Sequence, residues 1–252
     1  MKAKFLNTVT KASITTASTF TSILLGTAIA NAATITYTAA YQQTPEDIEF
    51  GAPTGYGFTD IVDSILSIQQ FDSSLGTLNS VFIEFTGNMR GDAEFESRDA
   101  RPQTITVDLS GLLTLVGPNN NPVFELKPQE IRQYDVTRFD GTVDFGGTSG
   151  RTITGISAEA STSETIADLS ALTPFIGNGT VDFSFSANAE SSVRGSGNIL
   201  SGISTFAKAD IKVIYDYTEV PKKVPESSMV LGLGLIAGFG LLSQRKNVFN
   251  RF

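Results

Sequence analysis

Between residues 33 and 220 apolar and polar side chains alternate with a period of two, the spacing that sends successive side chains to opposite faces of a β-strand. In Val81-Phe82-Ile83-Glu84-Phe85 the apolar set Val81, Ile83 and Phe85 shares one face. Val181-Asp182-Phe183-Ser184-Phe185-Ser186 alternates without a break, and Ile211, Val213, Tyr215 and Tyr217 point together in 211–217. The same rule predicts strands over 34–41, 60–70, 103–109, 132–139, 151–160 and 198–206, with one short helix over 164–172 stopped by Pro174. Turn signals separate these runs at Gly117-Pro118-Asn119-Asn120, Gly146-Gly147 and Gly195-Ser196-Gly197-Asn198. Asn178-Gly179 predicts a hairpin turn of type I′, which needs positive φ at both central residues. There are no amphipathic helices between the strands to cover a parallel sheet, and no repeat of fixed period. The expectation is an all-β, antiparallel two-sheet β-sandwich of jelly-roll-like kind.

The two ends do not follow this pattern. Lys2, Lys4 and Lys11 precede an apolar, Ser/Thr-containing stretch, and Ala30-Asn31-Ala32 then presents small residues in the spacing a signal peptidase cuts. Residues 1–32 are therefore expected to be a signal peptide, with cleavage between Ala32 and Ala33. At the other end, residues 229–242 are apolar or Gly and Arg245-Lys246 follow. As a helix this stretch rises about 21 Å, short of the roughly 30 Å of a bilayer core. Its glycines at 232, 234, 238 and 240 permit close packing against another helix. A basic cluster at that end is retained in the cytoplasm, which leaves residues 33–220 outside.

The order Val224-Pro225-Glu226, polar spacer, Gly-rich apolar segment, Arg245-Lys246 resembles the PEP-CTERM sorting signal of exported proteins in exopolysaccharide-producing bacteria. That resemblance implies recognition and cleavage of residues 221–252 by exosortase, after passage through the Sec system. Ser227 stands where the family pattern has a second proline, and six residues follow the basic pair. A second resemblance lies in Phe71-Asp72-Ser73-Ser74-Leu75-Gly76-Thr77-Leu78-Asn79-Ser80-Val81, similar to the signature of the choice-of-anchor E domain. It runs from Ala33-Thr34-Ile35-Thr36-Tyr37 to Tyr215-Asp216-Tyr217, and so covers 33–220. It implies an exported domain carried on an exchangeable anchoring tail, and brings no catalytic residue, cofactor or substrate with it.

Composition narrows the chemistry. Three of the 18 basic residues lie in the first 32 and three after Pro225, which leaves 12 basic against 25 acidic residues and a net charge near −13 for the middle. Such a charge argues against nucleic-acid binding, which needs clustered Lys and Arg, and disfavours docking on anionic lipid. The chain has no His, Cys or Trp. Ser-His-Asp and Cys-His catalysis and the usual zinc, copper and haem ligand sets are thereby excluded, as is an indole platform for sugar rings.

The densest acidic run, Asp92-Ala93-Glu94-Phe95-Glu96-Ser97-Arg98-Asp99, puts Asp92, Glu94 and Glu96 on one strand face, about 7 Å apart. With Asp99 these are candidate ligands for Ca²⁺, an ion that takes oxygen donors. Arg90, Arg98 and Arg101 stand close enough in sequence to neutralise the run, so a solvated face with local salt bridges is the simpler expectation. Asp135, Asp140 and Asp144 flank the Gly141 turn, where Asp is ordinary turn chemistry. The leading functional expectation is a non-enzymatic envelope or matrix protein without a cofactor, associated with the membrane through its tail and engaging exopolysaccharide. The alternatives are a Ca²⁺-dependent carbohydrate-binding module and a glycoside hydrolase working with two carboxylates.

Overall fold

The structure is a computed structural model that describes residues 19–21, 32–120 and 123–220. The cleavage site residues Ala30 and most of the expected signal peptide lie outside these residues, as do Val224, Pro225, Glu226, Arg245 and Lys246. Among the described residues no helix is long and apolar enough to cross a membrane.

Two antiparallel sheets pack face to face. The first runs β1 (Thr19–Thr21), β2 (Ala32–Ala40), β12 (Ile199–Glu219), β5 (Gly76–Ser97), β9 (Gly150–Ile166), with β3 (Gly57–Phe58) also paired to β12. The second is built around β6 (Gln103–Val116). On one side β6 meets β8 (Gln129–Val136) and β7 (Val123–Leu126); on the other it meets β11 (Ser192–Arg194) and β10 (Thr180–Ala189), and β10 carries β4 (Ile61–Gln69). β5 and β12 pair along almost their whole length, from Ile199↔Ser97 to Glu219↔Gly76.

The alternation reads directly into the core. Val81, Ile83, Phe85, Met89 and Phe95 of β5 are wholly buried, as are Ile105, Val107, Leu109, Leu113 and Leu115 of β6. Facing them, Ile211, Val213, Tyr215 and Tyr217 come from β12 and Val181, Phe183 and Phe185 from β10. The two inner faces approach closely where glycine replaces a side chain. A Cβ on Gly111 would lie 2.7 Å from Met89 Sδ of the opposite sheet, and one on Gly87 2.5 Å from Leu113. Tyr215 ties the layers with a polar link: from β12 its hydroxyl donates to the Gln69 carbonyl at the end of β4, at 2.8 Å. Among the described residues every core residue lies between Ile35 and Tyr217, so residues 33–220 carry that core and, apart from β1, both sheets, which is what an independently folding unit requires.

Local expectations were modified where strands outrun their periodic segments. The runs 198–206 and 211–217 are one strand, β12, because β5 offers an equally long partner. The helix expected over 164–172 is a single turn, α2 (Leu169–Leu172), followed by a 3₁₀ turn at Thr173–Phe175. Residues up to Ile166 are taken by β9, which pairs with β5 as far as Ile166↔Val81. Asp168 caps α2, accepting from the amides of Ser170 and Ala171. Asn178-Gly179 makes no I′ hairpin: only Gly177 has positive φ there, and the segment leads from Phe175 into β10 while Gly179 bonds Gln70. A short helix, α1 (Pro45–Glu49), was not expected, although Thr44-x-x-Asp47 forms a capping box.

Candidate functional site

β5 carries the acidic run, and its alternation does put Asp92, Glu94 and Glu96 on one face, the outer face of the first sheet. Beyond that the four Ca²⁺ candidates part company. Asp92 turns to the neighbouring strand and accepts from the Gly155 amide at 2.7 Å. Glu94 is exposed beside Gly202; with Asp92, Thr152 and Ser204 it lines a shallow groove of about 230 Å³. Glu96 is fully buried beneath the loop that joins β8 to β9. There the Ser149 hydroxyl donates to Glu96 Oε1 at 2.6 Å, while Oε2 has no partner and lies against Gly150, where a Cβ would come within 2.2 Å. Asp99 sits past the end of β5, accepting from Gln103 Nε2 at 3.3 Å and packed on Gly197. Among the described residues no three acidic side chains converge on one point.

The salt bridges expected from Arg90, Arg98 and Arg101 are also not formed. Among the described residues the ion pairs are Arg132–Glu130, Lys208–Asp210 and Lys212–Glu84, at 3.1, 3.5 and 3.0 Å. The reason is the antiparallel ladder: Arg90 lies across from β9, with its guanidinium toward Gly155 rather than along its own strand to Asp92. Arg98 and Arg101 leave the sheet altogether in the connection between β5 and β6.

That connection and the β8–β9 loop form a cleft at one end of the sandwich. Arg98, Ala100, Thr137, Arg138, Phe139, Asp140 and Thr148 line about 710 Å³. Three ties fix its walls. The Phe139 amide donates to the Asp99 carbonyl at 2.7 Å, the Thr137 amide to the Thr148 carbonyl at 3.0 Å, and Ser149 reaches the buried Glu96. Asp140 is shaped by the loop itself: the Thr142 amide donates to its Oδ1 at 3.0 Å and the Thr148 amide to its Oδ2 at 3.3 Å. The Thr142 amide first, then the Thr148 amide and the Ser149 hydroxyl and amide, hold the carboxyl of this exposed residue below the usual carboxylate range. Asp144 accepts from Gly146 in a similar turn, and Asp135 accepts from the Thr104 hydroxyl on β6, so the three loop acids serve different purposes.

The cleft therefore offers two exposed guanidiniums without an acidic partner among the described residues, one half-buried ring, two threonine hydroxyls and an ionised carboxylate. A planar guanidinium pairs two N–H groups with a carboxylate or sulfate, and hydroxyls and a carboxylate bond sugar hydroxyls. Sequence reading missed this site. Arg98 was assigned to neutralise acids, and 137–139 was read as the end of a strand, whereas β8 stops at Val136. The two arginines lie 40 positions apart, and backbone bonds between their loops, from Phe139 to Asp99 and from Ser97 to Ser149, bring them together. The tyrosines divide as core and rim: Tyr41, Tyr215 and Tyr217 are buried, and Tyr134 lies under the Arg151 guanidinium at 4.9 Å.

No protein-family model matches the sequence, and no curated protein matches it. Among solved structures, one of infectious bursal disease virus, Gx strain, aligns over 86% of this chain and 50% of that chain at 13% identity, with a TM-score of 0.14. The T13 particle of the same virus aligns over 75% and 40%, at 10% identity and a TM-score of 0.15. The chain thus spans at most about half the length of these viral proteins, and at such TM-scores the likeness carries no argument.

Proposed function

We propose that residues 33–220 are a non-enzymatic binding module of the cell envelope or its exopolysaccharide matrix, which engages an acidic polysaccharide in the Arg98/Arg138 cleft. The observation that carries this reading is the cleft itself: two unpaired guanidiniums in a domain whose charge is otherwise strongly negative. Its volume falls in the range of pockets that hold small ligands, roughly 300–1,000 Å³, enough for one or two sugar rings of a chain that continues into solvent. The arginines would take the carboxylate of a uronic acid unit, and Thr137, Thr148 and Asp140 its hydroxyls. Delivery outside the cell belongs to the same reading and is supported by the two terminal signals, with residues 1–32 removed at Ala32–Ala33 and residues 221–252 holding the module at the membrane until exosortase cuts.

The test is titration calorimetry on residues 33–220 with an oligogalacturonate of about six sugars and a neutral maltooligosaccharide of equal length. Binding of the acidic oligomer alone, weakened at least tenfold by Arg98→Ala or Arg138→Ala, supports the site. Equal binding of both oligomers, binding unaffected by either variant, or no heat with either at millimolar concentration overturns it. Intact mass of the exported protein addresses delivery separately: a chain starting at Ala33 and ending near Pro225 is expected, and a retained tail would make it a permanent anchor.

A further inference from the structure

We infer that the outer edge of β2 is a self-association surface, on which a second copy of this chain adds its own β2 antiparallel to make one continuous sheet. A sheet edge presents unpaired N–H and C=O groups to any extended chain, and proteins that remain apart guard such edges with charge, proline, a bulge or brevity. Five other edge strands of this sandwich are guarded. β9 carries Arg151, Glu159 and Glu164 and breaks register opposite Gly91 and Ala93. β4 has Asp63 at a φ of 50° and a register shift against β10. β8 carries Glu130, Arg132 and Asp135, and β7 and β11 have only four and three residues.

β2 has none of these devices. Ala-Ala-Thr-Ile-Thr-Tyr-Thr-Ala-Ala contains no charge and no proline, and pairs with β12 in unbroken register from Ala32↔Thr218 to Ala40↔Asp210. The edge already receives a strand: Thr19–Thr21 of the same chain lies antiparallel on it, with Thr19 opposite Thr36 and Thr21 opposite Thr34. Among the described residues that cover spans three residue pairs, from Thr34 to Thr36. Removal of residues 1–32, on the export reading above, takes it away.

The segment is complementary to itself. A two-fold axis through Thr36 places Thr34 opposite Thr38 on the outer face and Ile35 opposite Tyr37 on the inner face. Thr–Thr and aromatic–β-branched couples are the favourable cross-strand pairs. Seven positions, 33 to 39, then pair, against three for the segment 19–21. No charge on either strand opposes the approach.

The chain has no cysteine, so a single introduced one reports cleanly. Residues 33–220 are expected to dimerise in light scattering coupled to gel filtration between about 5 and 200 µM. Thr36→Lys should raise the dissociation constant at least tenfold without lowering the melting temperature. Directly opposed Cα atoms about 4.5–5.5 Å apart suit a disulfide. Thr36→Cys should therefore cross-link under mild oxidation much faster than Thr162→Cys on the guarded β9 edge. A monomer throughout that range, equal cross-linking at the two positions, or a dimer that Thr36→Lys leaves intact overturns the inference. The fragment 33–220 starts at Ala33 whatever happens during export, so its behaviour is independent of the N-terminus found on the exported chain. A different N-terminus there would defeat the processing reading alone.

Discussion

Asp47 offers a sharp test of how the small elements at one end of the sandwich are held. It is buried, and its carboxylate accepts four hydrogen bonds: from the Tyr41 hydroxyl at 2.8 Å, the Thr44 amide at 2.9 Å, the Thr44 hydroxyl at 2.7 Å and the Phe58 amide at 3.0 Å. These join the end of β2, the cap of α1 and β3 into one unit. A bond to a charged group contributes about 1.5–3 kcal/mol and a stranded buried donor costs about 1–3 kcal/mol. Four bonds to one carboxylate do not add, because they share it. Asp47→Ala, which leaves the Tyr41 hydroxyl and Phe58 amide without an acceptor, should therefore destabilise residues 33–220 by about 2–4 kcal/mol. For a domain of this size that is a fall in Tm of roughly 5–15 °C. Burial alone would raise the Asp47 pKa, but bonds from Thr44, Phe58 and Tyr41 outweigh it and hold it low. A carboxyl with a depressed folded pKa stabilises above the unfolded value, about 3.9, and that contribution is lost as pH falls through the folded pKa. The gap between the wild type and Asp47→Asn should be widest at pH 7 and shrink below about pH 4. Thermal melts followed by circular dichroism at pH 7 and pH 2.5 measure both. A gap that is constant between these values, or an Asp47→Ala loss under about 2 °C, would refute the reasoning.

Three further outcomes follow from the core. Tyr215→Phe removes only the hydroxyl that reaches Gln69 and should cost about 1–2 kcal/mol in urea denaturation, with an unchanged m value. Phe183→Ala, at a fully buried ring of β10, should cost about 3–5 kcal/mol on the same assay. Gly111→Ala meets the Asn188 backbone and the Met89 side chain and should lose about 2–4 kcal/mol, whereas Gly202→Ala, with its nearest neighbour at 3.6 Å, should stay within about 0.5 kcal/mol. Similar losses at the two glycines would show that the sheets are not so closely apposed at Gly111.

The period-two pattern determined the class of fold and most of the core. Val81, Ile83, Phe85, Val213 and Tyr215 are buried because a pleated strand with one covered face leaves no other place for them. It did not determine which strands pair or how far they run: β12 spans two periodic segments since β5 is equally long. Pairing also decided the fate of the acidic run. Sequence put Asp92, Glu94 and Glu96 on one face, and so they are, yet the β8–β9 loop buries Glu96 and β9 occupies Asp92. The Arg98/Arg138 cleft was invisible beforehand because its residues sit in loops, where no periodicity acts, and meet through hydrogen bonds between distant segments. That β2 lacks the charge, bulge or brevity of the other edges is legible only by comparison with them, which requires knowing the order of strands. Local spacing dictates which way a side chain points; contacts between remote segments decide what it meets there.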